Sequence, residues 1–235
     1  MTPSKIFVRC FATARWGVAL VGLLAVGSVH AAQFCVSDAT TLTVALVQAS
    51  LSVASSNVIK LQQGNYLMAA TVNYDFPRPI YFEGGYSANC ASRAVNPANT
   101  VIDIGIGHGF QLRQLAASPQ ALISVDGVTF SHTNNGLFIQ AGQYGDFSND
   151  AGSVIFSRAR FTNISTGGAT TPVWLIAFNN GITLDNVLID HVSTTSACGF
   201  TLRGEGGVSM RLNHVTADLA GGDDFCFDDD IDQGV

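Results

Sequence analysis

Four octapeptides of this chain repeat one pattern: ISVDGVTF (123–130), VIFSRARF (154–161), ITLDNVLI (182–189) and MRLNHVTA (210–217). Each is apolar at its first, third, sixth and eighth positions. The sets are Ile123/Val125/Val128/Phe130, Val154/Phe156/Ala159/Phe161, Ile182/Leu184/Val187/Ile189 and Met210/Leu212/Val215/Ala217. The copies begin 31, 28 and 28 residues apart. Self-similarity at such a period marks stacked units, each burying its apolar face only against its neighbours. Within a copy the alternation holds for three residues, slips by one and resumes. Strand side chains alternate with period two, so a slip turns the chain and predicts two short strands meeting at a corner. Asp126, Ser157, Asp185 and Asn213 occupy the slip. Such residues bond nearby backbone in turns, and stacked units would align them as a side-chain ladder.

More strand segments follow in each unit: GLFIQ (136–140), VWLIAF (173–178), GFTLR (199–203) and FCF (225–227). Three short strands per turn of chain is the plan of a parallel β-helix. Upstream, VIKLQQGNY (58–66), IYFEGGY (80–86) and TVIDI (100–104) are strand candidates, with Pro77 and Pro79 in a turn. Before them, Asp38 or Thr40 offers a helix cap, and Leu42, Ala45, Leu46 and Ala49 share one helical face. A short amphipathic helix there would cover the end of the stack. The longest interruptions are 143–152 and 165–172.

Residues 1–31 have the pattern of a secretory signal peptide. Lys5, Arg9 and Arg15 precede an apolar run at 16–26, and Val29 and Ala31 supply small residues at −3 and −1 of a cleavage site. Eleven apolar residues are too few to span a bilayer, so no membrane insertion is expected once the leader is gone. Removal leaves 204 residues (235 less 31), enough for one domain with a core, and takes the formal charge from −6 to −9. Lys60 is then the remaining lysine, beside seven arginines. That balance argues against nucleic acid and anionic lipid, and repels acidic polysaccharide unless a cation bridges the two. A secreted, periplasmic or cell-surface destination follows.

Cys10 leaves with the leader, and Cys35, Cys90, Cys198 and Cys226 remain, an even number suited to an oxidising compartment. Cys198 and Cys226 are one repeat apart and are expected at matching places in adjacent coils, within disulfide reach. Cys35 and Cys90 then pair by elimination. The competing reading is buried free thiols stacked in the core.

Segments 58–66 (VIKLQQGNY) and 84–103 (GGYSANCASRAVNPANTVID) resemble secreted bacterial proteins of the right-handed parallel β-helix, pectin-lyase-like class. In these a helical cap precedes a V-I-x-L-x-x-G-x-Y strand and a G-G-Y…C…R…NPANTVID segment. The resemblance runs from about Cys35 to the end. It implies an all-β, right-handed parallel β-helix (solenoid) of five to seven coils over 32–235, with a short N-terminal capping helix. Many such proteins have no assigned activity, so the likeness implies architecture more than function. Others are pectate lyases and polygalacturonases.

Polygalacturonase-like hydrolases carry N-T-D, D-D, G-H-G and R-I-K in order. Here GHG (107–109) and Asp223–Asp224 come in reverse order over a hundred residues apart, and the other two motifs are missing. One glycosidic bond needs its carboxylates about 5–10 Å apart, so His108 is expected in a turn. A lyase needs a cation-binding carboxylate cluster beside an Arg or Lys base. Arg158, Arg160, Arg203 and Arg211 are available, with Asp185, Asp190 and Asp218. Asp190 and Asp218, one repeat apart, are expected as near neighbours, which raises both pKa values or recruits a cation. The other reading is a solvated acidic face. The run GGDDFCFDDDID (221–232) carries six carboxylates and makes Ca²⁺ the one candidate cofactor, although its spacing fits no EF-hand loop. A charged, non-pairing end to the stack explains it equally.

No capping element is recognisable after the last strand segment. The expectation is a chain that is the front part of a longer helix, or one whose open end a partner covers. No catalytic, cofactor-binding or metal residue is assigned from sequence; the assigned site residues are the four structural cysteines. The expected function is a non-catalytic secreted or cell-surface protein that binds polysaccharide or serves structurally. The alternative is a polysaccharide lyase or glycoside hydrolase, distinguished by carboxylates and an Arg or Lys gathered in one groove.

Overall fold

The computed structural model describes residues 30–115, 121–143, 151–166, 171–194, 198–220 and 224–229. It is a parallel β-solenoid. An edge strand β1 (Ala32–Val36) leads into the helix α1 (Ala39–Ser50), and six coils follow. The first is β2 (Asn57–Gln62), β3 (Gly64–Leu67) and β4 (Val72–Asp75); the second is β5 (Ile80–Tyr86), β6 (Thr100–Asp103) and β7 (Phe110–Gln114). The third is β8 (Ala121–Asp126), β9 (Thr129–Thr133) and β10 (Leu137–Ala141); the fourth is β11 (Gly152–Ser157), β12 (Arg160–Thr166) and β13 (Val173–Phe178). In the fifth, β14 (Gly181–Thr194) runs through a corner before β15 (Cys198–Glu205); the sixth repeats this with β16 (Ser209–Ala220) and β17 (Asp224–Asp229).

Stacking the coils makes three flanks, in which the described strands pair parallel. Flank one holds β1, β2, β5, β8, β11 and the first halves of β14 and β16. Flank two holds β3, β6, β9, β12 and their second halves. Flank three is the six-stranded sheet β4-β7-β10-β13-β15-β17. The four octapeptides align without offset, Ile123 on Val154, Val154 on Ile182 and Ile182 on Met210. Their apolar sets point inward, and the first three sets are fully buried. Phenylalanines continue up the core: Phe110, Phe130, Phe161, Phe200 and Phe225 form a chain of ring contacts 5.1–6.0 Å between centroids.

The slip residues do form a ladder, extended backward as Lys60, Glu83, Asp126, Ser157, Asp185 and Asn213 in successive register. The turn itself is made one residue later. Gly127, Arg158, Asn186 and His214 all have positive φ (71°, 47°, 54° and 51°). A second corner repeats the device at His132, Asn163 and His191 (φ 53°, 52° and 52°). A single left-handed residue makes each corner; β14 and β16 are continuous through it, whereas β8 and β9, and β11 and β12, are separate strands there.

The capping helix lies where the 3.6-residue pattern placed it, with Leu42, Ala45, Leu46 and Ala49 buried. Asp38 is its N-cap: the Asp38 carboxylate accepts from the Thr41 N–H, and the Thr41 hydroxyl accepts from the Asp38 N–H. Both disulfides are present, Cys35–Cys90 with Cα atoms 5.9 Å apart and Cys198–Cys226 at 5.7 Å. One detail of the expectation is corrected. Cys198 and Cys226 do not hold matching places, since Cys226 is in register with Thr201 and Cys198 with Asp224, across a register shift between Cys198 and Phe200.

Residues 87–99, most of the segment carrying the resemblance, form an excursion between β5 and β6 that is fastened down. Cys90 ties it to β1, Arg93 Nε donates to the Gly84 carbonyl, and the Thr129 hydroxyl donates to the Pro97 carbonyl. Beneath it a Cβ on Gly84 would stand 2.1 Å from the Gly127 carbonyl oxygen, so only glycine permits this approach. These are structural roles.

Candidate functional site

Flank two and its corners carry a set of charged side chains held in ion pairs and hydrogen bonds. Asp126 is clasped from two sides: Arg93 Nη2 lies 2.7 Å from Oδ2, while Arg158 gives Nε–Oδ1 and Nη2–Oδ2 contacts of 2.8 and 2.5 Å. Asp185 accepts a 2.6 Å hydrogen bond from Asn213. Asp190, 8% exposed, accepts from Arg160 Nε and Nη2 at 2.9 and 2.6 Å and from the Thr162 hydroxyl at 3.2 Å, with His191 Nδ1 also 3.2 Å away. Asp103 holds His132 through Nδ1 at 3.1 Å.

Asp190 and Asp218 are register partners, as the repeat predicts. The expected rise in the Asp190 pKa is overturned: the hydrogen bonds from Arg160 hold it below the usual value, outweighing desolvation. Conversely, carboxylate hydrogen bonds raise the pKa values of Arg158 and Arg160, so both stay cationic and are poor bases. Arg203 stands on flank three, 3.8 Å from Asp228, and Arg211 on flank one beside Thr183. The four arginines and three aspartates of the lyase expectation therefore share no groove. His108 lies in the β6–β7 loop, its N–H bonded to the Gly105 carbonyl, as a turn residue. Of the acidic run, 221–223 and 230–232 lie outside the described residues, as do the leader up to residue 29 and residues 144–150 and 167–170 of the two long loops. Among the described residues, no three His, Cys, Asp or Glu side chains are placed to hold a metal, and no helix is long and apolar enough to cross a membrane.

Flank three differs in kind. Its outward positions form two columns, Asn73–Gln111–Phe138–Trp174–Thr201 and Asp75–Arg113–Gln140–Ile176–Arg203–Asp228. Phe138 and Trp174 are half-buried and meet edge to face, with centroids 5.8 Å apart and planes at 79°. The Trp174 indole N–H is shielded from water and has no acceptor among the described residues. Leaving such a donor unpaired costs about 1–3 kcal/mol. Arg113 is neutralised by Asp75 through contacts of 2.6 and 3.0 Å. Outward aromatics beside planar amide and guanidinium groups suit a ligand with apolar faces and hydroxyl edges.

Sequence reading missed this pair. In GLFIQ the alternation does signal it, since Leu137 and Ile139 face inward and Phe138 must face out. VWLIAF is apolar at every position, so its parity shows only through pairing with β10. The Asp103–His132 and Asp190–His191 contacts had no signal either, because the left-handed corner sets their direction. Comparison with protein-family models, with curated proteins and with solved structures gave no match.

Proposed function

We propose that this chain is a secreted or cell-surface β-helix of the right-handed, pectin-lyase-like kind that binds an extended, uncharged polysaccharide along flank three. The outward Phe138–Trp174 pair carries the reading. Its rings offer stacking surface to the C–H faces of sugars, and Gln111, Gln140 and Arg113 stand beside it for hydroxyls. The columns run along the solenoid axis, which favours a polymer over a compact ligand. Ion pairing of Arg113 with Asp75 and the negative net charge disfavour uronate polymers. Two disulfides suit an oxidising compartment, in keeping with secretion. Binding rather than cleavage is favoured by the locked arginines and the dispersal of the carboxylates.

Native electrophoresis through gels containing a neutral β-glucan or polygalacturonate tests this. The neutral polymer is expected to retard the protein and the acidic one to leave it unaffected. Trp174→Ala weakens retardation about thirtyfold if the ring is worth the ~2 kcal/mol of a binding hot spot. Equal retardation of wild type, Trp174→Ala and Phe138→Ala sinks the proposal, as does a lack of retardation by any polymer. Falling viscosity of a polymer solution would establish the lyase or hydrolase alternative instead.

A further inference from the structure

The second corner carries a column of side chains that the flank-three reading leaves unused. His132 in the third coil, Asn163 in the fourth and His191 in the fifth lie one above the other, bracketed by the register columns Ser131–Thr162–Asp190 and Thr133–Ile164–Val192. All three have left-handed backbone and all three are exposed, with 53% of the His132 side chain and 70% of the His191 side chain open to solvent. The turn does not itself demand histidine, since the first corner makes it with Gly127, Arg158 and Asn186. A side chain held in that conformation costs about 1–2 kcal/mol that glycine would avoid.

Both imidazoles are backed by a carboxylate. His132 Nδ1 lies 3.1 Å from Asp103 Oδ2, and His191 Nδ1 lies 3.2 Å from Asp190 Oδ2. A histidine that gives its Nδ1–H to a carboxylate presents Nε2 as a lone-pair donor, the arrangement that holds metal-ligating histidines in tautomer and direction. The His132 ring also bridges two coils, for its Nδ1 meets Asp103 of the second and its Nε2 stands 3.4 Å from Asn163 Nδ2 of the fourth. That Nε2 is thus one coil, roughly 4.8 Å, from the level of His191. Two nitrogens bound to one ion at about 2.0–2.1 Å stand about 3–4 Å apart, so a tilt of the exposed His191 ring closes the gap. Turning the Asn163 amide over puts its Oδ1 on the level between the two rings.

We propose that His132, Asn163 and His191 form a binding site for one divalent transition-metal ion, with Nε2 of each histidine and Oδ1 of Asn163 as ligands and water completing the shell. Two imidazole nitrogens with one neutral oxygen select Zn²⁺, Ni²⁺ or Cu²⁺ over Ca²⁺ and Mg²⁺, which take sets of oxygen ligands. Among the three, Cu²⁺ binds tightest by the general order of affinities. Asp103 and Asp190 are positioning residues: they orient the ligand rings and do not touch the ion.

Titration of the folded protein with Cu²⁺, followed by electron paramagnetic resonance, tests this. Wild type is expected to bind one ion whose spectrum shows splitting from imidazole nitrogen. His132→Ala and His191→Ala are each expected to weaken binding at least tenfold; both rings are exposed, and circular dichroism checks that each variant folds. Asp103→Asn keeps every ligand and is expected to weaken binding about tenfold, the lower end of the range for losing an orienting partner. Zn²⁺ is expected to raise the unfolding temperature of wild type and to leave that of the double variant His132→Ala/His191→Ala unchanged, since an ion that binds only the folded state stabilises it. A wild type that binds no Cu²⁺ overturns the proposal. So does binding that survives the double variant, which places the ion elsewhere on the chain, or binding that needs one histidine and is indifferent to the other. None of these residues lies on flank three, so glucan retardation stands or falls separately.

Discussion

The coils built on β2 and on β16 present the same columns of side chains and are finished in different ways. Around the first coil, α1 seals the core, the buried Tyr66 hydroxyl lies 2.8 Å from the Val36 carbonyl, and the Cys35–Cys90 disulfide joins the edge strand to the 87–99 excursion. Arg93 then reaches from that excursion to Asp126 in the third coil. At the other end the Cys198–Cys226 bridge and the Phe200–Phe225 stack hold the last coil to the one before it, while Leu212 and Phe227 meet solvent. In a nearest-neighbour stack an interior coil has two interfaces and an end coil one. Identical apolar patterning therefore yields unequal burial, and stability is expected to decline toward β17.

The largest effects test that gradient in the aromatic core. Phe161 is fully buried against Phe130, Phe156 and Phe200, with centroids 6.0, 5.1 and 5.2 Å away. Phe161→Ala is expected to cost about 3–5 kcal/mol in urea unfolding, as for other buried phenylalanines. Phe225 continues the same column but is only partly buried. Phe225→Ala is expected to cost about 1–2 kcal/mol, the transfer of a half-covered ring. Equal costs would break the comparison.

The disulfides sharpen it. In the chain-entropy model, sequence separations of 55 and 28 give stabilisations of about 4 kcal/mol for Cys35–Cys90 and about 3.5 kcal/mol for Cys198–Cys226. The magnitudes are close, so the discriminating measurement is where protection is lost. Hydrogen exchange of the Cys198→Ser/Cys226→Ser protein is expected to show faster exchange confined to β17 and the edge of β15. In Cys35→Ser/Cys90→Ser the loss is expected to cover β1 and residues 87–99 and to reach β9, because Arg93 and Pro97 anchor that excursion to Asp126 and Thr129. Loss of protection throughout the chain in the first variant would show that the last coil is no weaker than the rest.

What the sequence made legible follows the same division. The inward columns were readable because burial imposes period two on strands and a slip reveals a corner; Ile123 to Ile189 obey this residue by residue. The cap was readable from Leu42, Ala45, Leu46 and Ala49. The unequal fate of the fourth copy was not, since Met210, Leu212, Val215 and Ala217 have the same pattern and differ only in what lies above them. Outward chemistry was harder still. The repeat put Asp190 beside Asp218, but Arg160 reaches Asp190 from two residues along the neighbouring coil, a diagonal that a column argument does not contain. Trp174 was hidden because every neighbour in its strand is apolar too.

A last test asks whether charge as well as apolar cover fastens the later coils. Asp190 in the fifth coil is held by Arg160 from the fourth, and this pairing lowers its pKa below the usual 3.8. A carboxylate with a depressed folded pKa stabilises the protein fully above the unfolded value, and the contribution fades as pH falls through the folded one. Arg160→Met removes the guanidinium and keeps much of the stem, leaving a nearly buried carboxylate to Thr162 and His191 alone. The variant is expected to be less stable by about 2 kcal/mol near neutral pH, the range for hydrogen bonds to a charged group, with the exposed arginine holding the figure down. As the pH falls below 3.8 and through the lower folded value, the Arg160–Asp190 contribution fades and the two unfolding curves are expected to converge. A difference that stays constant from neutral to acid pH would mean that Arg160 acts through packing of its stem. The joint between the fourth and fifth coils would then be held by apolar contact rather than by charge.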